Sequence, residues 1–210
     1  MSIGLLGRKV GMTRVFGSDG LSVPVTVVEA GPCWVIQRKT VENDGYEAVQ
    51  LGFDEKNKGV NKPQAGHFKK HDVSPARFVR EIRVEPDAGM KPGDLLTVSL
   101  FEEGEKVDVT GVSKGRGFQG VVKRYGYRGG RSTRGSMFHR SPGSIGASAD
   151  PARVWKNTGM PGRMGGARVT RRNLLVVKVD GERNLLLVRG DVPGPRGGNV
   201  IVRRSARSGK

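Results

Sequence analysis

The chain has 210 residues, of which 37 are Lys or Arg and 20 are Asp or Glu, giving a net charge of +17. No apolar run approaches the ~18 residues that a membrane helix needs, and the single cysteine, Cys33, excludes an internal disulfide. These features predict a cytoplasmic protein with an extended polyanion as partner, and they indicate neither a membrane anchor nor a secretory leader. We expect Cys33 to be a small buried side chain, because it precedes three apolar residues.

The first half of the chain is predicted to form short strands separated by turns. Asp-Gly pairs supply the positive backbone angles of tight hairpins, and they lie between apolar runs. The predicted strands are Met12–Phe16 with Val23–Val28, and Cys33–Lys39 with Tyr46–Phe53 across a turn at 43–45. Residues 54–72 are polar and basic and predict an exposed loop. Ser74-Pro75 resembles a helix cap and predicts a short helix that ends at Arg80.

Further short strands follow, and they resume after a long interruption. The predicted strands are Arg80–Val84, Leu95–Leu100, Lys106–Thr110, Leu174–Val179 with Leu185–Arg189 across Asp180-Gly181, and Val200–Arg203, followed by a basic tail at 205–210. Many short strands with Gly and Pro turns and almost no long helix predict a mainly β chain that forms a barrel. We therefore predict one barrel body, residues 1–110 plus 173–210, with residues 111–172 inserted into it.

The inserted segment, residues 111–172, is the most unusual part of the chain. Its 62 residues hold 14 Lys or Arg, 14 Gly and one acid, Asp150, so it carries +13 of the total +17. Only eight of its residues are Val, Ile, Leu or Phe, too few to bury a core of their own. We expect this basic segment to become ordered around a polyanion and to be mobile in the free protein.

Two patterns suggest other chemistry, and the sequence favours neither. Gly115-Arg116-Gly117-Phe118-Gln119-Gly120 matches the dinucleotide fingerprint, but no βαβ unit and no ribose-binding acid follow it. A helix predicted at Phe118–Tyr125 would instead bring glycines and cations near the phosphates of a nucleic acid. His67 and His71 have the spacing of metal ligands, but without Cys or Glu nearby they are predicted to be exposed loop histidines.

Aromatic rings alternate with the charges of the basic segment, at Phe118, Tyr125, Tyr127, Phe138 and Trp155. Such rings suit stacking on unpaired bases, although Phe118 and Trp155 could equally hold the segment against the barrel. Arginine outnumbers lysine there eleven to three, and its planar fork pairs with phosphate. With one local acid no catalytic triad can be assembled, so no catalytic residue is predicted.

Several motifs resemble one universal family, the third protein of the large ribosomal subunit in its bacterial form. The signature includes Phe101, Asp108, Gly111, Ser113, Gly115-Arg116-Gly117, Gly120 and Arg124. Similar stretches are Gly4 to Thr13, Asn61-Lys62-Pro63 with Gly66-His67-Phe68, His139-Arg140 with Pro142 to Gly146, Asn184 to Val188, and Val192-Pro193-Gly194. The resemblance covers essentially the whole chain.

This resemblance implies a β-barrel of the kind found in translation factors, with an extension that runs through rRNA toward the peptidyl-transferase centre. It also implies early binding in subunit assembly, contacts with neighbouring large-subunit proteins, and no enzymatic activity. The implied partner is large-subunit (23S-type) rRNA, with no small-molecule substrate and no cofactor. No metal site is expected, since structural Mg²⁺ would belong to the rRNA. The predicted rRNA-binding residues are Lys114, Arg116, Lys123, Arg124, Arg128, Arg131, Arg134, His139, Arg140, Arg153, Lys156, Arg163, Arg168, Arg171 and Arg172.

The predicted tip of the extension, residues 147–152, departs from the family pattern. Many bacterial members have a glutamine there that becomes methylated, whereas this chain has Ala-Ser-Ala-Asp-Pro-Ala, so we predict no such modification. Ser148, Ala149 and Asp150 are the residues expected nearest the peptidyl-transferase centre. Asp150 could cap the turn at Pro151 or bind a hydrated cation.

Three alternatives remain at the level of sequence. An rRNA-modifying enzyme would need a cofactor pocket or a catalytic acid, and a DNA-compacting protein would share the basic charge. An additional role outside the ribosome is also compatible with the sequence.

Overall fold

The computed structural model describes residues 4–17, 19–85 and 89–206. Twelve strands are found in these residues: β1 (Gly4–Phe16), β2 (Ser22–Ala30), β3 (Cys33–Lys39), β4 (Ala48–Glu55), β5 (Ala76–Arg83), β6 (Leu95–Leu96), β7 (Lys106–Val112), β8 (Phe118–Gln119), β9 (Gly162–Arg163), β10 (Arg168–Asp180), β11 (Leu185–Arg189) and β12 (Asn199–Arg204). Three short α-helices are α1 (Val41–Asp44), α2 (Lys62–Lys69) and α3 (Val121–Tyr125), and Val98–Leu100 forms a 3₁₀ turn. The predicted mainly β character is confirmed.

Six of the strands close into an antiparallel barrel in the order β1-β12-β7-β10-β11-β2. Alternate residues of its strands point inward, as the two-residue period of a strand requires. On β7, for example, Val107 and Val109 are fully buried while Asp108 between them is not. Closure leaves no unpaired edge in the barrel, so its backbone donors and acceptors pair with one another.

A second antiparallel sheet, in the order β5-β4-β3-β6, packs on the barrel. Residues of both sheets form one buried apolar cluster, which includes Leu5 and Leu6 of β1, Leu51 of β4 and Ile82 of β5. Burying each of these large side chains contributes about 1.5–3 kcal/mol. The sequence-predicted pairings of β1 with β2, β3 with β4 and β10 with β11 are all present.

The helix predicted from Ser74-Pro75 to Arg80 is wrong, since Ala76–Arg83 forms strand β5. Strand β5 pairs with β4 over its whole length, from Glu55 opposite Ala76 to Ala48 opposite Arg83. The ladder hydrogen bonds and the burial of Ile82 outweigh the local cap signal, because tertiary pairing overrides weak helix propensity.

The loop predicted at residues 54–72 is also corrected, because it contains helix α2. Asn61 precedes the helix and Pro63 lies in its first turn, a pattern typical of a helix start. The helix is fixed by Phe68, whose side chain is buried against Ile36 and Val73. One apolar anchor on an otherwise polar helix was too weak a periodic signal to predict it.

Smaller corrections concern three other predicted elements. In the predicted turn at 43–45, the first two residues belong to a single helical turn, α1, and Gly45 caps its end in the left-handed conformation. The predicted strand Leu95–Leu100 is limited to β6 and then continues as the 3₁₀ turn. In the predicted helix Phe118–Tyr125, the first two residues form β8 and only Val121–Tyr125 are helical.

The chain divides into two units. The first contains the barrel and the four-stranded sheet, up to Val112 and from Arg168 onward, and is called the barrel unit. The second is Ser113–Ala167 and is called the cationic unit. Gly111 and Val112 belong to β7, and the basic residues 168–172 belong to β10. The barrel strands therefore include both ends of the segment 111–172 that composition had set apart.

Two further findings complete the fold. None of the helices in the described ranges is long and apolar enough to cross a membrane. Of the predicted tail 205–210, Ser205 is buried and its amide donates to the Lys106 carbonyl, while residues 207–210 lie outside the described residues.

Candidate nucleic-acid interface

The cationic unit is held at its base by backbone hydrogen bonds between its first and last residues. The Ser113 amide donates to the Ala167 carbonyl at 2.9 Å, and the Gly166 amide donates to the Ser113 carbonyl at 3.1 Å. Next, Arg116 and Met164 continue this pairing, and the short strands β8 and β9 pair beyond them. The unit therefore begins as a two-stranded ribbon, built by backbone contacts and not by a core.

Only one large apolar side chain of the cationic unit is buried, that of Val121 at 1% exposure. Phe118, Met137 and Trp155 are 77%, 99% and 56% exposed. Exposed apolar groups of this kind commonly mark interaction surfaces. The low apolar content seen in the sequence thus corresponds to a unit without a core, although its predicted mobility in the free protein stays a prediction.

Arg124 has an internal structural contact. Its Nη1 donates to the Met160 carbonyl at 2.6 Å, and its guanidinium lies 5.0 Å from the centroid of the Tyr125 ring. Gly162 leaves room for this guanidinium, since a Cβ there would lie 2.7 Å from Nη1. Arg124 therefore joins helix α3 to the segment before β9, in addition to carrying charge.

A second internal contact brings residues 129–131 against residues 138–139. The Gly130 amide donates to the His139 carbonyl at 2.9 Å, and the His139 Nδ1 lies 2.9 Å from the Arg131 carbonyl oxygen. A Cβ on Gly130 would collide with the carbonyl oxygen of Phe138. His139 thus positions a loop, and its exposed ring remains accessible for stacking.

The predicted rRNA-binding side chains within the cationic unit are exposed, except that of Arg124, which is half-buried. Glycine-rich turns separate them, and Asp150 is the single acid among them. No ion pair is formed by these cations among the residues that the structure describes. An array of unpaired cations in water gains most by contacting a polyanion, because counterion release accompanies each phosphate contact.

The three predicted arginines outside the cationic unit lie on the first half of β10. Arg168 and Arg172 are exposed, whereas Arg171 is paired with Asp191, whose carboxylate lies 3.1 Å from the Arg171 Nη2. Arg171 therefore has less free charge to offer than its two neighbours. Arg203 on β12 lies in the same groove as Arg168 and Arg172 and was not predicted. Within a short strand its charge carried no distinguishing sequence signal.

The predicted aromatic residues are exposed, and some of them contact arginines. The Arg153 guanidinium lies 4.4 Å from the Trp155 ring centroid, and Tyr125 and Tyr127 are tilted neighbours 6.1 Å apart. Arginine over a ring is a stacking unit that unpaired bases can extend. At the predicted tip, Ser148, Ala149 and Asp150 are all exposed.

The competing sequence patterns find no support in the geometry. The GxGxxG residues pair with 162–164 in an antiparallel ribbon, and every strand pair in the described ranges is antiparallel, so no βαβ unit contains them. His67 lies on α2, half-buried, and its Nε2 is 2.7 Å from the Gln50 side-chain oxygen. The predicted exposed loop position is therefore wrong for His67, whereas His71 lies in a turn after α2 and is half-buried. The described residues contain no cluster of three or more His, Cys, Asp or Glu suited to a metal.

Cys33 is fully buried, as predicted, and its Sγ lies 3.3 Å from the Leu6 carbonyl oxygen. Burial raises the pKa of the thiol to about 12, only partly offset by that hydrogen bond. The thiol is therefore protonated at neutral pH and is a poor nucleophile.

The fold and this surface define a class of protein, a basic β-barrel protein whose exposed cations suit a polyanion. Residues 90–185 match the family model described as ribosomal protein L3. Proteins named large ribosomal subunit protein uL3 are similar over nearly the whole chain. The one from Thermotoga petrophila is 58% identical over 207 residues, covering 98% of each chain. Those from Geobacillus thermodenitrificans and Solibacter usitatus are 56% and 55% identical, covering at least 99% of each chain.

The chain therefore belongs to the ribosomal protein L3 family of the large ribosomal subunit. It is a structural protein of the cytoplasmic ribosome and not an enzyme.

Proposed function

We propose that this large-subunit protein binds 23S-type rRNA chiefly through its cationic unit, while the barrel unit is a folded anchor. The observation that supports the proposal most directly is the set of exposed, unpaired cations on a unit without a core. These cations contact no carboxylate among the described residues, and the unit carries a single acid. Such a surface is unfavourable alone and becomes favourable when phosphates surround it.

Charged and aromatic side chains of the cationic unit would contact different parts of the rRNA. Exposed arginines such as Arg128, Arg131 and Arg140 would pair bidentately with phosphates and supply most of the affinity. Trp155 with Arg153, and Phe118, would stack on unpaired bases. Little base sequence would be read this way, so the shape of the folded rRNA would determine where the protein binds.

The glycines of the cationic unit would allow its backbone to approach rRNA closely. At Gly130 a side chain is already excluded by the Phe138 carbonyl, so the loop is narrow. A narrow, cationic chain can occupy gaps between converging rRNA helices, where phosphate repulsion would otherwise keep the helices apart. We propose that early subunit assembly depends on this neutralisation.

The tip, residues 147–152, is proposed to lie toward the peptidyl-transferase centre, as the family resemblance implies. Peptide-bond chemistry would remain with the RNA, since the tip offers one exposed acid and no catalytic group around it. The tip would influence the geometry of the surrounding RNA. Neighbouring large-subunit proteins are proposed as further partners of the barrel unit.

The experiment compares two triple variants of the full-length protein. Arg128, Arg131 and Arg140 are replaced by Gln in one, and Lys178, Arg183 and Arg189, which are exposed on the barrel unit, are replaced by Gln in the other. Arg124 is left intact because it holds α3 to Met160. Affinity for a large-subunit rRNA fragment is measured by filter binding at several salt concentrations.

Removal of three phosphate contacts should lower the slope of log affinity against log salt by about 2–3, at 0.7–0.9 per contact. The barrel variant should change the slope much less. In cells, large subunits isolated after a high-salt wash should contain less of the cationic-unit variant than of the barrel variant. Equal slopes for the two variants would show that the cationic unit is not the principal rRNA-binding surface.

A further inference from the structure

The barrel unit has a cationic groove of its own, formed on the outer face of β12, β7 and β10. Its volume is about 360 Å³, and its charged lining consists of Arg168, Arg172, Arg203 and Asp108. A groove of that volume has room for a phosphate group together with part of its hydration.

Strand register explains why these side chains meet. Arg203 of β12 is opposite Asp108 of β7, and Thr170 of β10 is opposite Thr110 of β7. Since Val107 and Val109 point into the core, Asp108 and Thr110 point to the other face of the sheet. The hydroxyl oxygens of Thr110 and Thr170 are 2.8 Å apart and form the floor of the groove.

A bulge in β10 gives the groove its shape. The register of β10 against β7 shifts between Arg171 and Leu174, so two residues, Arg172 and Asn173, lie opposite Asp108. The Asn173 amide donates to the Asp108 carboxylate at 2.8 Å, and the Asn173 side-chain oxygen accepts from Ser205 at 2.6 Å. Asp108 is therefore held by the backbone of the bulge, which brings Arg172 to the rim of the groove.

Within the described residues, the arginines of the groove have no partner of opposite charge. No carboxylate lies within 4 Å of the guanidinium groups of Arg168, Arg172 or Arg203 in the described part of the chain. The Nε of Arg203 is buried without a hydrogen-bond partner there. Burial, and next the positive charge of Arg168, lower the pKa of the Arg203 guanidinium.

An anion would remove both unfavourable features of this arrangement. A buried donor without an acceptor costs about 1–3 kcal/mol, more when it is charged, and like charges in a partly dry groove repel more strongly than in water. Three guanidinium forks and two hydroxyls around one site match the several oxygens of a phosphate group better than the two of a carboxylate. Asp108 leaves the groove with a net charge of +2.

We propose that this groove binds one phosphate group of the rRNA backbone, so that the barrel unit makes a defined RNA contact separate from the cationic unit. Arg203 is the central ligand, Arg168 and Arg172 complete the site from β10, and the threonine hydroxyls orient the bound oxygens. The source of the phosphate rests on the proposed function, whereas the groove itself is a feature of the barrel unit alone.

The test uses the full-length protein with Arg203→Gln, and Arg183→Gln as a matched control in the β10–β11 turn. We expect Arg203→Gln to weaken binding of the large-subunit rRNA fragment by at least about tenfold, the loss of one charged hydrogen bond. The slope of log affinity against log salt should fall by about 0.7–0.9. Arg183→Gln should change the affinity and the slope much less. Arg168→Gln, at an exposed position, should reproduce the slope change if Arg203→Gln fails to fold.

A second measurement separates the two possible sources of phosphate. The melting temperature of each variant is compared in inorganic phosphate and in chloride at equal ionic strength, and phosphate should stabilise the unaltered protein more than Arg203→Gln. If phosphate stabilises the unaltered protein more than Arg203→Gln, but both proteins bind the rRNA fragment equally well, then the groove binds a free anion and the proposal is overturned.

The groove proposal would also be overturned if Arg203→Gln and Arg183→Gln gave the same rRNA affinity and the same melting temperature in phosphate. The triple variant of the cationic unit tests the proposed function independently. Loss of binding there, with normal binding by Arg203→Gln and Arg168→Gln, would reject the groove and leave the proposed function intact.

Discussion

Lys9 joins two parts of the barrel unit from a nearly buried position, and its replacement by Met gives the sharpest test of how the barrel is held. The side chain is 8% exposed, and its Nζ donates to the Val192 carbonyl at 2.7 Å and to the Gly194 carbonyl at 3.2 Å. The Lys9 backbone also pairs with Gly197 and Gly198. Lys9 therefore fixes the loop 192–198 to β1.

That loop lies beside the end of β7. A Cβ on Gly194 would approach the Val112 carbonyl oxygen to 2.9 Å, so only glycine fits between the loop and the strand end. Val112 is the last residue of the barrel unit before the cationic unit begins. Loosening the loop should therefore loosen the strand end from which the cationic unit starts.

Lys9→Met keeps most of the apolar stem and removes the Nζ, which donates to both carbonyls. A buried acceptor left without its donor costs about 1–3 kcal/mol, and the Gly194 carbonyl, which is only partly buried, can be hydrated instead. We expect a loss of about 1–3 kcal/mol, a substantial part of the 5–15 kcal/mol that typically stabilises a domain. Urea unfolding followed by circular dichroism measures this loss directly.

The matched control is Lys178→Met on β10, where the lysine is exposed. Surface substitutions of this kind usually change stability by less than about 0.5 kcal/mol. If Lys9→Met were no more destabilising than Lys178→Met, the two carbonyl contacts would contribute nothing and the reasoning about the loop would be wrong.

Three further predictions concern other parts of the chain. Gly130→Ala should weaken rRNA binding about 5- to 150-fold, the equivalent of 1–3 kcal/mol of local distortion, because the added Cβ would collide with the Phe138 carbonyl. The control Gly115→Ala should leave binding unchanged, because a Cβ there meets no other atom. Equal affinities of the two variants in filter binding would contradict this prediction. Burial raises the pKa of Cys33 in the folded protein to about 12. The contribution of this thiol to the free energy of unfolding is therefore fully present below the pKa of the thiol in the unfolded chain, and it decreases as the pH rises above that value. Between about pH 9 and 11 the protein should thus lose about 1.4 kcal/mol per pH unit more than Cys33→Ala in urea unfolding, and parallel curves would refute the shift. Mass spectrometry of the peptide spanning 147–152 should show no added methyl group, and finding one would reject the prediction made from the missing glutamine.

Much of the architecture could be predicted from local signals. Asp-Gly turns between apolar runs located the hairpins, because a tight turn needs particular residues whatever surrounds it. Many short apolar runs separated by Gly and Pro turns predicted the mainly β character, and Cys33 was predicted to be buried from its neighbours. Arginine, glycine and the near absence of acids located the candidate interface, since composition alone limits what a segment can bury.

The errors have one physical origin. Ser74-Pro75 favours a helix locally, yet the following residues pair with β4, and helix α2 depends on Phe68 reaching Ile36. Both outcomes are decided by contacts between residues distant in sequence, whose free energy exceeds the small differences in local propensity.

The sequence by itself determined how much charge the chain carries and where along the chain that charge lies, because ionisation and apolar content are properties of the residues themselves. Only the tertiary structure decided what each charge does. Arg171 is neutralised by Asp191, Arg124 holds α3 to Met160, and Arg203 remains unpaired beside Arg168. The difference arises from strand register and from the β10 bulge, which set the distance between side chains far apart in the sequence, and the electrostatic energy of a charge depends on that distance.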